Sequence, residues 1–159
     1  MSTPEAVERF ATGEYSAVVA AVARITGDHL NAADCVQDAV LALLENPRPV
    51  DNLAAWITVV ATNRIRDRQR RRASESRALS RIGISPAAAG LDSIDVDVRA
   101  AIDALPRRQR QICILHYLLD ESVESIALRL GVTGGAVKTH LFRGRRALAA
   151  RLAPVAAAA

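Results

Sequence analysis

The sequence predicts an all-α protein: two small helical domains joined by a flexible linker, the second containing a helix-turn-helix. Three observations predict it. Half of the residues are hydrophobic, yet Ala, Leu and Val dominate and only five are aromatic. Such a composition builds helices rather than sheets. Apolar residues recur at helical spacing on both sides of one polar stretch. That stretch, residues 73–94, holds Ser74, Ser76, Ser80, Gly83, Ser85, Pro86 and Gly90, the composition of a tether. With 159 residues shared by two domains, each core is small and of modest stability.

In the first domain, residues 1–72, Val7, Phe10, Val18, Val22 and Ile25 predict helix over about 4–26, with a break near Gly13. Gly27-Asp28 ends it. Asn31 is expected to cap the next helix, with Asp34 helping its N-terminus. That helix runs to about Glu45 and should bury Val36, Val40, Leu43 and Leu44. Asn46-Pro47-Arg48-Pro49 breaks the chain. Asp51 or Asn52 then caps a helix from about Leu53 to Arg72, with Leu53, Trp56, Ile57 and Val60 as its apolar stripe. The stripe fades as arginines accumulate, so the helix should project basic side chains beyond the core.

Within the linker a turn is expected around Leu79–Ile82. The second domain, residues 95–152, opens with a helix over about Val96–Ala104. Leu105-Pro106 breaks it, and Pro106 suits the first turn of the next helix, about 107–118. Ser122 caps a short helix bearing Val123, Ile126, Ala127 and Leu130. Gly131-Val132 turns the chain, and Thr133 caps a last helix bearing Val137, Leu141 and Leu148. Ala127 is small enough for close packing, and Gly131 can take the left-handed conformation of a tight turn. This is a helix-turn-helix. Pro154 should end it, leaving residues 153–159 as a disordered Ala-rich tail.

The net charge of +4 hides an asymmetry. Residues 1–63 carry three arginines against eight carboxylates, whereas residues 64–81 carry eight arginines against two. An acidic head followed by a basic block suggests two partners of opposite charge. Cys35 and Cys113 read as buried free thiols in a reducing compartment. No run of eighteen apolar residues and no signal peptide is seen, so a cytoplasmic protein without membrane insertion is expected. Enzyme chemistry finds little support. His29, His116 and His140 lack ligand spacing, Cys113 and His116 form only a lone Cys-x-x-His, and no phosphate-cradling loop or nucleophile elbow occurs. No catalytic residue, metal or cofactor is expected.

On these residues the chain resembles the sigma-70 family, specifically its extracytoplasmic-function (group IV) RNA polymerase sigma factors. Ala33-Asp34-Cys35-Val36-Gln37-Asp38-Ala39-Val40 looks like the family's polymerase-binding helix. Trp56–Asn63 followed by Arg64–Arg72 looks like its −10 element helix. Leu105–Arg110 through Arg143–Leu148 looks like its −35-reading domain. The resemblance implies region 2 over 1–72 and region 4 over 95–152. It implies core RNA polymerase (β and β′ subunits) and promoter DNA as partners, the DNA duplex at −35 and melted at −10. An anti-sigma factor or an ATP-dependent protease would be further partners. Asp34, Gln37 and Asp38 would dock on the β′ clamp helices. The loop Asn46–Asn52 would hold a flipped base, and Asn52, Asn63, Arg64, Asp67, Arg68 and Arg71 would face the −10 strand. Thr133, Lys138, Thr139, His140, Phe142, Arg143 and Arg146 would face the −35 duplex.

The physical chemistry agrees: an arginine-rich helix captures a strand electrostatically, and a shaped pocket favours unstacking only for a base that fits. The closest rival is a helix-turn-helix factor of response-regulator type, which Val137-Lys138-Thr139-His140-Leu141 also suits. Its receiver domain would need alternating strands and helices, which residues 1–63 do not show. The apolar tail reads first as a frayed terminus, and in the sharper alternative Ala158 and Ala159 form a degradation signal for an ATP-driven protease.

Overall fold

The computed structural model describes residues 2–75 and 96–158, the last five by backbone alone. No strand occurs among the described residues. The chain divides into two compact units, Met1–Leu91 and Asp92–Ala159. The expected linker at 73–94, with its turn at Leu79–Ile82, lies outside the described residues except for 73–75, which continue a helix.

Four helices build the first unit: α1 (Thr3–Gly13), α2 (Tyr15–Thr26), α3 (Ala32–Glu45) and α4 (Leu53–Glu75). A capping box starts α1. Ser2 Oγ accepts from the Glu5 N–H, and the Glu5 carboxylate accepts from the Ser2 N–H. The chain breaks at Glu14, one residue past the expected Gly13. Gly27 ends α2 in the left-handed conformation at φ 73°. Helix α4 packs against both α2 and α3. Phe10, Val18, Val22, Ile25, Val36, Leu43, Ile57 and Ile65 are fully buried there. Each fully buried aliphatic or aromatic chain contributes about 1.5–3 kcal/mol.

Three expectations are corrected in this unit. Asn31 precedes α3 but does not cap it with its side chain. Its amide donates to the Asp28 carboxylate at 2.9 Å, and its backbone is already helical at φ −100° and ψ −5°, not the extended conformation from which a capping side chain accepts. Leu44 is exposed, because α3 buries the row Cys35, Val36, Ala39 and Leu43 and Leu44 falls a further 100° around the helix. The buried face of α4 is centred on Ala54, Ala55, Ile57, Thr58, Ala61, Thr62 and Ile65. Two neighbouring helices cover that broad face, leaving Leu53, Trp56 and Val60 half-buried at its edges.

The second unit holds α5 (Val96–Asp103), α6 (Arg107–Cys113), a π-helical turn (Ile114–Leu118), α7 (Val123–Leu130) and α8 (Gly134–Ala158). Pro106 stands just before α6 in an extended conformation rather than inside its first turn. The expected helix 107–118 widens in its last turn, where the Leu119 N–H reaches the Ile114 carbonyl. Ser122 Oγ accepts from the Ser125 N–H at 3.0 Å, and Thr133 Oγ1 from the Ala136 N–H at 3.1 Å. Gly131 makes the turn between α7 and α8 at φ 63°. Helix α8 packs against α5, α6 and α7, with Val137, Leu141 and Gly144 turned into the core.

The tail differs from expectation. Helix α8 continues through Pro154 to Ala158, and Ala159 lies outside the described residues. Proline forfeits a backbone hydrogen bond, but Ala149, Ala150 and Ala153 before it and Ala156–Ala158 beyond Val155 are strong helix formers.

Candidate nucleic-acid and polymerase interfaces

Helix α3 turns one face away from its unit. Asp34 and Gln37 are exposed and Asp38 is half-buried. Leu41 and Leu44 extend the same strip, 56% and 40% exposed. Positions 34, 37, 41 and 44 follow the 3-4 spacing of a helical seam. Leu30, 86% exposed, lies four residues before it. Sequence reasoning missed these leucines because it assigned Leu44 to the core. The 3-4 spacing from Asp34 was the available signal.

The expected −10 residues of α4 divide into two rows. Asn63, Asp67 and Arg71 are four apart and exposed. Asp67 pairs with Arg70 at 3.7 Å. Arg64 and Arg68 form the second row, which faces α3. There Arg68 donates to Asp38 at 2.9 Å and to Asp34 at 3.2 Å, and Arg64 stands 3.9 Å from Asp38. Gln37 donates to the Tyr15 hydroxyl at 3.2 Å. Two residue sets expected to meet different partners are therefore bonded to each other.

Asn52 is engaged too, its Oδ1 accepting from the Ala55 N–H at 3.1 Å and so capping α4. The loop before it lines a groove of about 760 Å³, with Ser2, Thr3, Ala6 and Leu43 on the other walls. The Arg48 guanidinium lies over the Trp56 ring, 5.6 Å from its centroid. Half-buried Trp56 is neither a pure core residue nor an open stacking platform.

On α8, Lys138, Thr139, Phe142, Arg143 and Arg146 are exposed. Phe142 is 54% exposed and carries the Arg146 guanidinium over its ring at 5.8 Å. Thr133 is occupied as the cap, and Thr139 Oγ1 donates to the Gly135 carbonyl at 3.0 Å. His140 departs from its neighbours: it is half-buried, with Nδ1 enclosed and lacking a hydrogen-bond partner. The outward strip thus consists of Lys138, Phe142, Arg143 and Arg146, cationic around one aromatic ring. Buried Glu121, just before α7, pairs with Arg129 near the end of that helix at 2.7 Å and so ties the incoming chain to α7. The His116 Nδ1–H donates to the Glu121 carbonyl at 2.7 Å and closes the same turn.

Cys35 and Cys113 are buried free thiols, and burial pushes both pKa values up. Among the described residues, no group of three His, Cys, Asp or Glu side chains could hold a metal ion. No described helix is long and apolar enough to cross a membrane.

A helix-turn-helix with an outward cationic strip, in a chain with a second arginine-rich helical unit, is the make-up of a DNA-binding transcription protein. Residues 11–75 match Sigma-70 region 2, and residues 95–148 match Sigma-70, region 4. The ECF RNA polymerase sigma factor EcfG of Rhodopseudomonas palustris is 32% identical over 135 residues, spanning 80% of this chain and 75% of that protein. The ECF RNA polymerase sigma factor SigL of Mycobacterium tuberculosis is 30% identical over 139 residues, spanning 79% and 76%. Among solved structures, the sigma factor RpoE of Bartonella quintana, co-crystallised with the anti-sigma factor NepR, superposes with a TM-score of 0.70. That likeness comes at 26% identity and covers 87% of this chain and 91% of RpoE. The chain belongs to the sigma-70 family, in its ECF branch of RNA polymerase sigma factors. Its function is that of such a factor, directing promoter-specific transcription. The response-regulator alternative is not favoured, because residues 11–75, where a receiver domain would sit, match Sigma-70 region 2.

Proposed function

We propose that the chain directs initiation through three surfaces: α3 on core RNA polymerase, α4 on the melted −10 strand, and α8 on the −35 duplex. The observation that carries this reading is the α8 strip. Lys138, Phe142, Arg143 and Arg146 face solvent on the second helix of a helix-turn-helix, the element that enters the major groove. Arginine or lysine can bind a guanine edge, and a phenyl ring can meet a thymine methyl.

On α3, Asp34 and Gln37 offer hydrogen-bond acceptors and donors beside exposed Leu41 and Leu44, a mixed strip suited to a helical partner on the polymerase. On α4, Asn63 and Arg71 are open to a strand, with Arg64 and Arg68 behind them. The groove beside Asn46–Asn52 is the place for an extruded base, walled by the 47–51 loop and α1. Asn52 serves there as the helix cap that fixes the loop. The protein acts in the cytoplasm as a polymerase subunit and performs no catalysis of its own. Ala158 and Ala159 would serve turnover by an ATP-driven protease, and an anti-sigma factor would cover the polymerase- or DNA-facing surfaces.

The test is to combine the purified chain with bacterial core RNA polymerase and fragmented genomic DNA and to sequence transcript 5′ ends. Discrete start sites sharing two upstream elements are expected. Tight binding to duplex promoter DNA without core enzyme, together with no affinity for core, would overturn the reading.

A further inference from the structure

The contact between α3 and α4 joins the carboxylates assigned to the polymerase with the arginines assigned to the −10 strand. Arg68 is shared between Asp34 and Asp38, and Asp38 also faces Arg64. Two positive and two negative charges cancel locally. We propose that this cluster is an autoinhibitory contact. In the free chain Asp34 and Asp38 hold Arg64 and Arg68 from DNA, and a partner that takes up the two carboxylates releases the arginines to a phosphate backbone. The inference rests on the assignment of α3 and α4 made above.

The geometry suits an exchange. Asp34 is 65% exposed, and Arg64, Arg68 and Asp38 are 33–40% exposed, so an incoming partner can reach all four. Ion pairs this open are weak and break readily. A phosphodiester offers a guanidinium the same paired oxygen acceptors as a carboxylate. Both sets stand on regular helices packed against each other, so release needs side-chain rotation and no backbone motion. Linkage makes the effect reciprocal: whatever frees the arginines for DNA also frees the carboxylates for the polymerase.

The experiment uses the full chain, without polymerase, and a fluorescent twelve-nucleotide single-stranded DNA. D34N/D38N keeps side-chain shape while removing both charges. It should bind on the order of fivefold more tightly than wild type. The slope of log affinity against log salt should steepen by about 1.4 for two further phosphates. The charge-matched control E8Q/E14Q, on exposed positions of the same unit, should change affinity less than about twofold. Adding R64A/R68A to D34N/D38N should abolish the gain. Conversely, R64A/R68A alone should bind core polymerase on the order of fivefold more tightly than wild type, in the absence of DNA. An equal gain in both charge variants, or a gain that survives loss of the two arginines, would make the effect one of net charge and overturn the proposal. So would unchanged core affinity in R64A/R68A. If wild type shows no affinity for core at all, the functional reading fails instead, while the DNA arm still decides whether the cluster masks the arginines.

Discussion

The sulfur of Cys113 occupies the space a side chain at position 144 would need. A Cβ placed on Gly144 would come within 2.5 Å of Sγ. The contact joins α6 to the middle of α8 and so fixes where the outward strip of α8 stands relative to the core. Gly144→Ala should therefore destabilise the second unit by about 1–3 kcal/mol through overpacking. Cys113→Ala in the same chain should recover most of that loss by opening the space. Urea unfolding of the single and double variants measures both effects. Additive losses would show that the two positions do not share that space.

The Glu121–Arg129 pair is buried, with side chains 3% and 14% exposed. Removing the Glu121 carboxylate breaks a short charge-assisted contact in a poorly solvated site. Glu121→Ala should cost about 3 kcal/mol and loosen the turn before α7. Hydrogen exchange of the α7 amides should rise along with the drop in unfolding free energy. A loss below about 0.5 kcal/mol, the range of ordinary surface substitutions, would contradict this role.

Burial raises the pKa of both thiols above the ordinary value. The thiol contribution to stability is therefore fully present below the unfolded pKa of about 8.5. It is lost as pH rises through the folded values, because the unfolded chain ionises first. The denaturation midpoint of wild type should fall between pH 8 and 10 relative to that of a Cys35→Ala, Cys113→Ala chain. Native protein should also resist a thiol reagent at pH 7 that labels both cysteines after unfolding. Rapid labelling of either cysteine in the folded chain would contradict its buried placement.

Leu41 and Leu44 are exposed on α3, so replacing both with Ala should leave stability within about 0.5 kcal/mol of wild type. Affinity for core polymerase should fall by on the order of tenfold or more, as burial of two leucines is lost at the interface. Titration of labelled protein with core enzyme gives the answer. Unchanged affinity would remove these leucines from the docking surface.

Arg143→Ala should lower affinity for a −35 duplex. A single paired base contact is worth roughly 1–3 kcal/mol and relaxes the preference at one position. A phosphate contact weakens all sequences alike and lowers the salt slope by about one. Binding to promoter variants at several salt concentrations separates the two. Sequence preference that survives intact in the Arg143 variant would confine its role to the backbone.

Much of the fold was legible because its signals are local. Helical spacing, the Ser122 and Thr133 caps and the left-handed Gly131 turn depend on residues within a turn or two of each other. Two of the places where expectation and structure part are set by neighbours distant in sequence. Leu44 faces solvent and the buried face of α4 is broad because of where α2 and α3 lie, which no window along α4 records. Asn31 gives its amide to Asp28 and keeps a helical backbone, so its side chain does not cap the first turn of α3. The helix through Pro154 shows a local breaker overridden by its alanine context.

The sequence by itself determined the helices, the helix-turn-helix and which residue types could meet polymerase or DNA, since spacing, caps and charge are properties of the chain alone. Only the tertiary structure decided how those residues are spent. It turned His140 partly inward and left Phe142 in solvent, it set Cys113 against Gly144, and it brought Arg68 between Asp34 and Asp38. The reason is physical: an ion pair between residues thirty or more apart depends on the packing of two helices, and periodicity along either helix is silent about the other.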